Sequence, residues 1–371
     1  MGSQQGVRIA LFVPNLEGGG AERVMVLLAN RFHHQGFKVD LVLQRARGPY
    51  LKAVHAGVSI VDLHASRLVF SLSPLVRYFR SFRPHATLAT PSSANIIATL
   101  AWALAGKPGR LVVREATTPS ADDRFKPGLR SRVIAALRRG LYGQATHVVA
   151  PSNGIAKDLV SHSGVSEDRI RVIPNPVDVE EIRALAAAPV PDFLREGTEL
   201  VLAVGGLTEL KDFATLIRAF SKVARARPAL LAILGEGEER ERLVEVAAQL
   251  GVSHRLVMPG FVENPFAFMK RASVLVLSSR YEGLPNVLLQ ALAVGTPVVS
   301  TDCPSGGPRE ILDGGRWGRL VPVGDVDAMA AAIEAGLDGM IERPTTELVQ
   351  ACYGVDVVAQ RYLSVLLTEL N

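Results

Sequence analysis

The chain has 371 residues, 48% hydrophobic and 21% charged, a profile with enough apolar content for two domains of ordinary size. Two cysteines, Cys303 and Cys352, are too few for a disulfide framework and point to a reducing cytoplasm. The net charge of +5 hides an asymmetry: residues 1–186 hold 24 Lys and Arg against 13 Asp and Glu (net +11), residues 187–371 hold 17 against 23 (net −6). Phosphates or an anionic membrane surface suit the basic half; nucleic acid is excluded, because no pattern of stacking aromatics or recognised binding module accompanies the charge.

In chain order, the polar start to Gly6 is no signal peptide, and "VRIALFVPNL" reads as a strand over Arg8–Val13. Gly18, Gly19 and Gly20 then open an amphipathic helix over Ala21–Gln35, and such glycines allow a ligand close to the backbone. Strands follow at Lys38–Leu43, Ser59–Asp62, Thr87–Thr90, Arg110–Arg114 and His147–Ala150, with a helix over Lys157–Ser163. The uncharged stretch Ala86–Gly106 is broken by Pro91 and Asn95, so it predicts a strand and a buried helix rather than a membrane span, which needs ~20 apolar residues. Arg114 and Glu115, closing a strand, are candidates for the acceptor side or simply an edge ion pair. "KPGLRSRVIAALRRGLYG" places Leu129, Val133, Ile134, Leu137 and Leu141 on one helical face, with Arg132, Arg138 and Arg139 elsewhere. The expectation is that this face packs on its own sheet. A basic amphipathic helix can also lie on an anionic membrane, gaining ~1 kcal/mol per cation, and both hold if only the arginines meet lipid. His147 and His162 have no partner at motif spacing and read as structural.

The Ala/Pro-rich stretch "ALAAAPVPDFLREGTE" (184–199) marks a boundary between domains 1–186 and 187–371. Strands then resume at Leu200–Val204, Ala229–Leu234, Leu256–Met258, Val274–Leu277 and Pro297–Ser300. Alternating strands and helices in both halves predict an α/β protein. Its two doubly wound, Rossmann-like domains face across a cleft, with ligands at the carboxyl ends of the strands. The absence of a short-period repeat excludes a solenoid.

Several loops carry chemistry. In "VGGLTELKDFATLIRAF" the Gly205-Gly206 turn follows a strand and Lys211 stands near the next helix start, where it can act as a point charge for a phosphate. "LGEGEER" resembles a phosphate loop, but Glu236, Glu238 and Glu239 would repel a diphosphate. Glu236 is better suited to accept from a ribose hydroxyl. The loop of "MPGFVENP", with Val262, offers backbone to a base edge or is a plain turn. In "SSRYEGLPNVLLQALAVGTPVVSTDCPSGG" the residues Leu284, Val287, Leu288, Ala291 and Leu292 form an apolar helix face. Asn286 and Gln290 share the opposite face, Pro285 suits the first turn and Gly295 the end. Glu282 precedes a helix N-terminus that favours an anion, so the stretch is either a site for a phosphorylated sugar or a capped surface helix.

Taken together and in order, "GGGAERVMVLLAN", "APSNGIAKDLV", "RVIPNPVD", "GGLTELKDFATLIRAF", "LGEGEER", "PGFVENP" and "SSRYEGLPNVLLQALAVGTPVVSTDCPSGGPREIL" resemble glycosyltransferase family 4 nearly end to end. These are retaining, metal-independent transferases with the double-Rossmann GT-B architecture. The resemblance implies that the first domain binds the acceptor and the second a nucleotide sugar, UDP-linked more readily than GDP-linked. It also implies a last helix that crosses back to the first domain. It implies that Glu282 bonds the donor sugar, that amides near Gly283 and Leu284 hold sugar and phosphate, and that Lys211 meets the diphosphate. Gly205, Gly206, Glu236, Val262, Val287 and Gln290 line the donor site, and Gly19, Gly20, Glu22, Arg114, Glu115 and Asn175 the acceptor and phosphate side. No metal and no cofactor is implied. The chemistry would use the donor's own phosphate oxygen as proton acceptor, leaving the protein to position the reactants and stabilise the leaving diphosphate. The acceptor would be a glycan or lipid-linked glycan of the cell surface, handled in the cytoplasm or at the inner membrane face. A nicotinamide oxidoreductase is disfavoured, because no Gly-x-Gly-x-x-Gly follows the first strand.

Two positions depart from the family. Gly206 stands where an arginine is usual, and Gln290 where the second motif residue is glutamate. Arg280 or Arg309 is a candidate to replace the missing cation. The alternative function is therefore a member that binds sugar nucleotides with weakened catalysis.

Overall fold

The computed structural model describes residues 6–125, 128–191, 194 and 197–367, so the expectations that fall on residues 1–5, on Lys126 and Pro127 and on parts of 192–196 lie outside it. The chain forms two compact units, Met1–Pro176 with Val355–Asn371, and Val177–Gly354. The division therefore lies after Pro176, ten residues earlier than the Ala/Pro-rich stretch suggests.

The first unit runs β1 (Arg8–Val13), α1 (Gly20–His34), β2 (Lys38–Leu43), β3 (Ser59–Asp62), α2 (Leu72–Phe82), β4 (Ala86–Ala89), α3 (Ser92–Leu104), β5 (Arg110–Arg114), α4 (Pro119–Phe125), α5 (Leu129–Leu141), β6 (His147–Ala150), α6 (Asn153–Ser163) and β7 (Ile170–Val172). Its strands pair in parallel in the order β3-β2-β1-β4-β5-β6-β7. Both faces of the sheet are covered, so β1 is apolar at successive positions instead of alternating. Ile9, Leu11 and Val13 pack with α1 on one face, Ala10 and Phe12 with α2 and α3 on the other.

The second unit runs α7 (Val179–Leu185), β8 (Leu200–Val204), α8 (Phe213–Val223), β9 (Leu230–Leu234), α9 (Arg240–Gln249), β10 (Leu256–Gly260), α10 (Phe266–Arg271), β11 (Val274–Leu277), α11 (Asn286–Ala293), β12 (Val298–Thr301), α12 (Gly307–Ile311), β13 (Arg319–Val321), α13 (Val326–Leu337) and α14 (Thr346–Tyr353). The strand order is β10-β9-β8-β11-β12-β13, again parallel. The last helix, α15 (Val355–Leu367), belongs to the first unit, where Val358, Ala359, Tyr362, Leu363 and Leu366 join the core with α1.

Strand order places the sites. In the second sheet the winding reverses between β8 and β11, and the loops leaving these neighbouring strands open side by side. In the first sheet the reversal falls between β1 and β4. Sequence reading misses the short strands β7 and β13, in which four of six residues are not buried, because strands of three residues at a sheet edge carry little apolar signal. It also places β4 one residue late.

Helix α5 departs from expectation. Leu129, Val133 and Leu137 are exposed and Ile134 and Leu141 half-buried, while Ala135 and Arg138 face inward. Arg138 is fully buried and held by Asp123 and by the Ser163 hydroxyl, so it is not available to lipid. The apolar stripe and the inward face are different sides of the helix, because the buried arginine finds its partners on α4 and α6.

Candidate functional site

The loop after β8 and the loop after β11 meet at the switch point of the second sheet. The first passes Gly205 and Gly206 and ends in a 3₁₀ turn over Glu209–Lys211. Asp212 then takes a left-handed conformation (φ 45°) and caps α8, which turns Lys211 away from the helix. The second loop carries Ser278, Ser279, Arg280 and Glu282 into Gly283, Leu284 and the cap residue Pro285 of α11.

Lys211 Nζ lies 2.5 Å from Glu282 Oε1. Ser279 Oγ donates to the same carboxylate oxygen at 2.6 Å. Ser278 Oγ donates to the Lys211 carbonyl (2.7 Å) and the Arg280 N–H to the Leu210 carbonyl (2.8 Å). The Arg280 guanidinium bridges Asp212 (3.1 Å) and Glu209 (3.2 Å). Behind Glu282, Ser305 Oγ donates to its carbonyl oxygen. Gly307 packs so tightly on Gly283 that an added Cβ would meet the Gly283 oxygen at 1.8 Å. At the base, the Ser279 carbonyl accepts from Thr301 Oγ1 and Cys303 Sγ. Burial, against a smaller opposing effect of the Thr301 hydrogen bond, pushes the Cys303 thiol up to about 12.

The cap of α11 has no side-chain hydrogen bond, and the positive end of the helix dipole lies beside Glu282 and Lys211. Leu284 and Gly283 are buried, and Asn286, Val287 and Gln290 share the half-buried outer side of the helix. Val287 thus sits with Gln290, and Leu289 takes the place in the core that sequence spacing gives to Val287. Gly205 donates its N–H to Leu234 and abuts Lys211, while Gly206 has room for a side chain, its nearest neighbours to an added Cβ being 3.8 and 3.9 Å away. Glu236 is paired with Arg240 at 3.1 Å, whose other nitrogen donates to the Met258 carbonyl. Val262 is half-buried beside the strand-end loop.

Neither arginine proposed to replace the missing cation is uncommitted. Arg280 is held by Asp212 and Glu209, and Arg309 by Asp302, with Nε at 3.1 Å from the carboxylate.

In the first unit the structure separates two groups. Glu22 turns back on its own loop, where Oε2 accepts from the Gly18 N–H (2.7 Å) and the Gly19 N–H (2.8 Å), so these amides cap α1 on a carboxylate of the chain itself. Gly20 is the first residue of that helix. Arg114 and Glu115 are both buried and are no surface ion pair. Arg114 Nη2 donates to Asn175 Oδ1 at 2.5 Å. Glu115 accepts from Ser92 Oγ at 2.6 Å and from the Tyr142 hydroxyl, which also accepts from Asn95 at 2.9 Å. Burial, and next Glu115, raise the Tyr142 hydroxyl well above its ordinary value, so the phenol keeps its proton and donates it in a hydrogen bond to the Glu115 carboxylate. Among the described residues no group of three or more His, Cys, Asp and Glu is arranged to hold a metal ion.

Comparison with known proteins gives two family models in succession. Residues 18–181 match Glycosyltransferase Family 4, and residues 198–338 match Glycosyl transferases group 1. The lipopolysaccharide core biosynthesis glycosyltransferase LpsE of Rhizobium meliloti is 32% identical over 328 residues, 85% of each chain. The chain belongs to glycosyltransferase family 4. This glycosyltransferase is also 29% identical, over 89% of its length and 90% of the relative's, to the N-acetylgalactosamine-N,N'-diacetylbacillosaminyl-diphospho-undecaprenol 4-alpha-N-acetylgalactosaminyltransferase of Campylobacter jejuni. Its fold matches Anabaena Alr3699/HepE, solved in complex with UDP-glucose, with a TM-score of 0.80 at 17% identity over 97% of this chain and 99% of that one. At that identity the likeness is one of fold: two parallel α/β sheets of the GT-B class.

Sequence reading of the glycosyltransferase finds Lys211 and Glu282 but not what fixes them. Ser278, Ser279 and Asp212 carry no motif of their own, and only strand order brings the two loops into contact. The doubled serine directly before the Arg-Tyr-Glu-Gly turn is the one local signal present.

Proposed function

We propose that this glycosyltransferase moves a sugar, with retention, from a UDP-sugar to a lipid-linked glycan during assembly of a cell-surface polysaccharide or lipopolysaccharide. The observation that carries the reading is the Lys211–Glu282 pair, one cation and one carboxylate, set before the N-terminus of α11. Such a set suits a diphosphate at the lysine and amides, with sugar hydroxyls at the carboxylate. The relatives support the substrate class: one is named for lipopolysaccharide core biosynthesis, another for a diphospho-undecaprenol acceptor, and a fold neighbour was solved with UDP-glucose. Lys211 and the helix amides would stabilise the leaving diphosphate, and no metal is required in this reading. The test is UDP release from a panel of UDP-sugars with an undecaprenyl-diphosphate-linked glycan, with and without EDTA. Turnover in both conditions with the anomeric configuration kept supports the proposal, and absence of release over background overturns it.

A weakened, binding-only role remains the second reading, because Gly206 supplies no cation and Arg280 and Arg309 are each held by carboxylates. UDP binding without release would favour it.

We also propose peripheral contact with an anionic membrane at the cytoplasmic face. Leu129, Val133 and Leu137 form an exposed stripe on α5 with Arg132 and Arg139 exposed beside it. A second pair of exposed apolar residues, Val69 and Phe70, lies on the 3₁₀ turn over Leu68–Ser71, and both elements pack against α3. No described helix is long and apolar enough to cross a membrane. Co-sedimentation with phosphatidylglycerol vesicles should fall on replacing Arg132 and Arg139 with Gln and Phe70 with Ser, and vesicle binding unmoved by these changes would sink the assignment.

A further inference from the structure

The Lys211–Glu282 contact raises a question that a list of donor-binding residues does not. In this structure the group suited to phosphate and the group suited to sugar satisfy each other. The contact is no passing surface pair. The lysine side chain is 26% exposed and the carboxylate 13%. Both groups are fixed: Ser278 holds the Lys211 carbonyl and the Arg280 N–H the Leu210 carbonyl beside it, while Ser305 holds the Glu282 carbonyl and Ser279 the Glu282 carboxylate. An ion pair held in one geometry and largely removed from water keeps a strength that mobile surface pairs lose.

We propose that this pair makes the site discriminate between the nucleotide sugar and the free nucleoside diphosphate, favouring entry of the first and release of the second. The inference rests on the reading of this site as the donor site. A nucleotide sugar replaces both halves of the pair at once, because its diphosphate takes Lys211 while its sugar hydroxyls donate to Glu282. A free nucleoside diphosphate replaces only one half. It draws Lys211 away and leaves a mostly buried carboxylate without its cation and next to a phosphate of like charge. The neighbouring guanidiniums do not relieve this: Arg280 is held by Asp212 and Glu209, Arg240 by Glu236, and Gly206 has no side chain. After transfer the sugar has gone, the pair re-forms, and the nucleotide is displaced.

This predicts a sign opposite to that of an ordinary contact residue. Titration calorimetry of UDP, with GDP in parallel, would compare wild type with Glu282→Gln, Glu282→Ala, Lys211→Ala and the Lys211→Ala/Glu282→Gln double variant. Removing the carboxylate should tighten the free nucleotide by about tenfold, as Lys211 then serves phosphate alone. Lys211→Ala should weaken it by a similar factor, and the gain from Glu282→Gln should vanish in the double variant. Either carboxylate variant suffices if the other fails to fold. Nucleotide affinity unchanged or weaker in the folded Glu282 variants, with Lys211→Ala still weakening it, overturns the discrimination while leaving the donor site in place. Affinity indifferent to Lys211→Ala as well overturns the donor-site reading and the inference together.

Discussion

At the scale of single residues the two departures from the family pattern become testable in physical terms. Gly206 lies outside the left-handed region and has open space around an added Cβ, so Gly206→Arg should fold and add a cation on the side of the Lys211 loop. UDP should bind about tenfold tighter at low ionic strength, and the gain should shrink as salt rises, which a calorimetric series in sodium chloride measures. Gln290→Glu, half-buried on α11, should give a smaller gain of a few-fold that salt scarcely alters. Cys303 offers a chemical check on the floor of the site. With its thiol pushed up to about 12, it holds almost no thiolate at pH 8, so native protein treated with iodoacetamide should be alkylated at Cys352 and not at Cys303. Mass spectrometry of the peptides reads this directly. His147 gives a pH dependence. Burial, and then the Arg171 charge, hold its imidazole below the ordinary 6.5. As pH falls through the ordinary value the unfolded chain takes up a proton that the folded chain refuses. Stability is therefore lost from there down to the folded value, and no loss arises above it. His147→Gln should flatten the decline in Tm between about pH 7 and pH 5.

At the scale of elements, glycines that look alike in sequence do different work. Gly235 has φ 145°, and an added Cβ would lie 2.0 Å from the Gly205 oxygen, where the loops after β8 and β9 touch. Gly206, one residue away from that contact, has no such neighbour. Gly235→Ala should lower stability by about 2 kcal/mol or more and weaken UDP binding, whereas Gly206→Ala should stay within about 0.5 kcal/mol of wild type by denaturant melts. Helix α5 shows the limit of periodicity. Its apolar stripe is correctly spaced for a buried face, yet Leu129, Val133 and Leu137 point outward. A heptad-like pattern states that a helix has an apolar side; it does not state which neighbour that side meets.

At the scale of the molecule, the chain passes between units twice, and α15 contributes to a core built 150 or more residues earlier in the chain. Six of its side chains, Val358, Ala359, Tyr362, Leu363, Val365 and Leu366, are buried there. The larger of them contribute about 1.5 to 3 kcal/mol each, a sum comparable with the whole stability of an ordinary domain. Ending the chain at Gly354 should therefore unfold the first unit while the second still melts cooperatively, which calorimetry and limited proteolysis can follow. Retention of both transitions would show that α15 is dispensable.

Sequence alone determined the alternation of strands and helices, hence two parallel sheets, because strand runs buried on both faces are continuous and apolar, and such runs are legible locally. It determined the family through motifs, and with it Lys211 and Glu282 as residues of interest. It did not determine their company. That Lys211 meets Glu282, that Ser278 holds the Lys211 carbonyl, and that Arg280 is occupied by Asp212 and Glu209 follow from strand order, which sets β8 beside β11 across some seventy residues of chain. The buried pairing of Glu115 with Tyr142 and of Arg114 with Asn175 was decided by the tertiary structure too, whereas the closing of the Gly18–Gly19 amides by Glu22 is local helix capping. A side chain's type is written in the sequence. Whether it faces a ligand or a neighbour of opposite charge depends on which loop the fold brings opposite, and only the tertiary structure decides that.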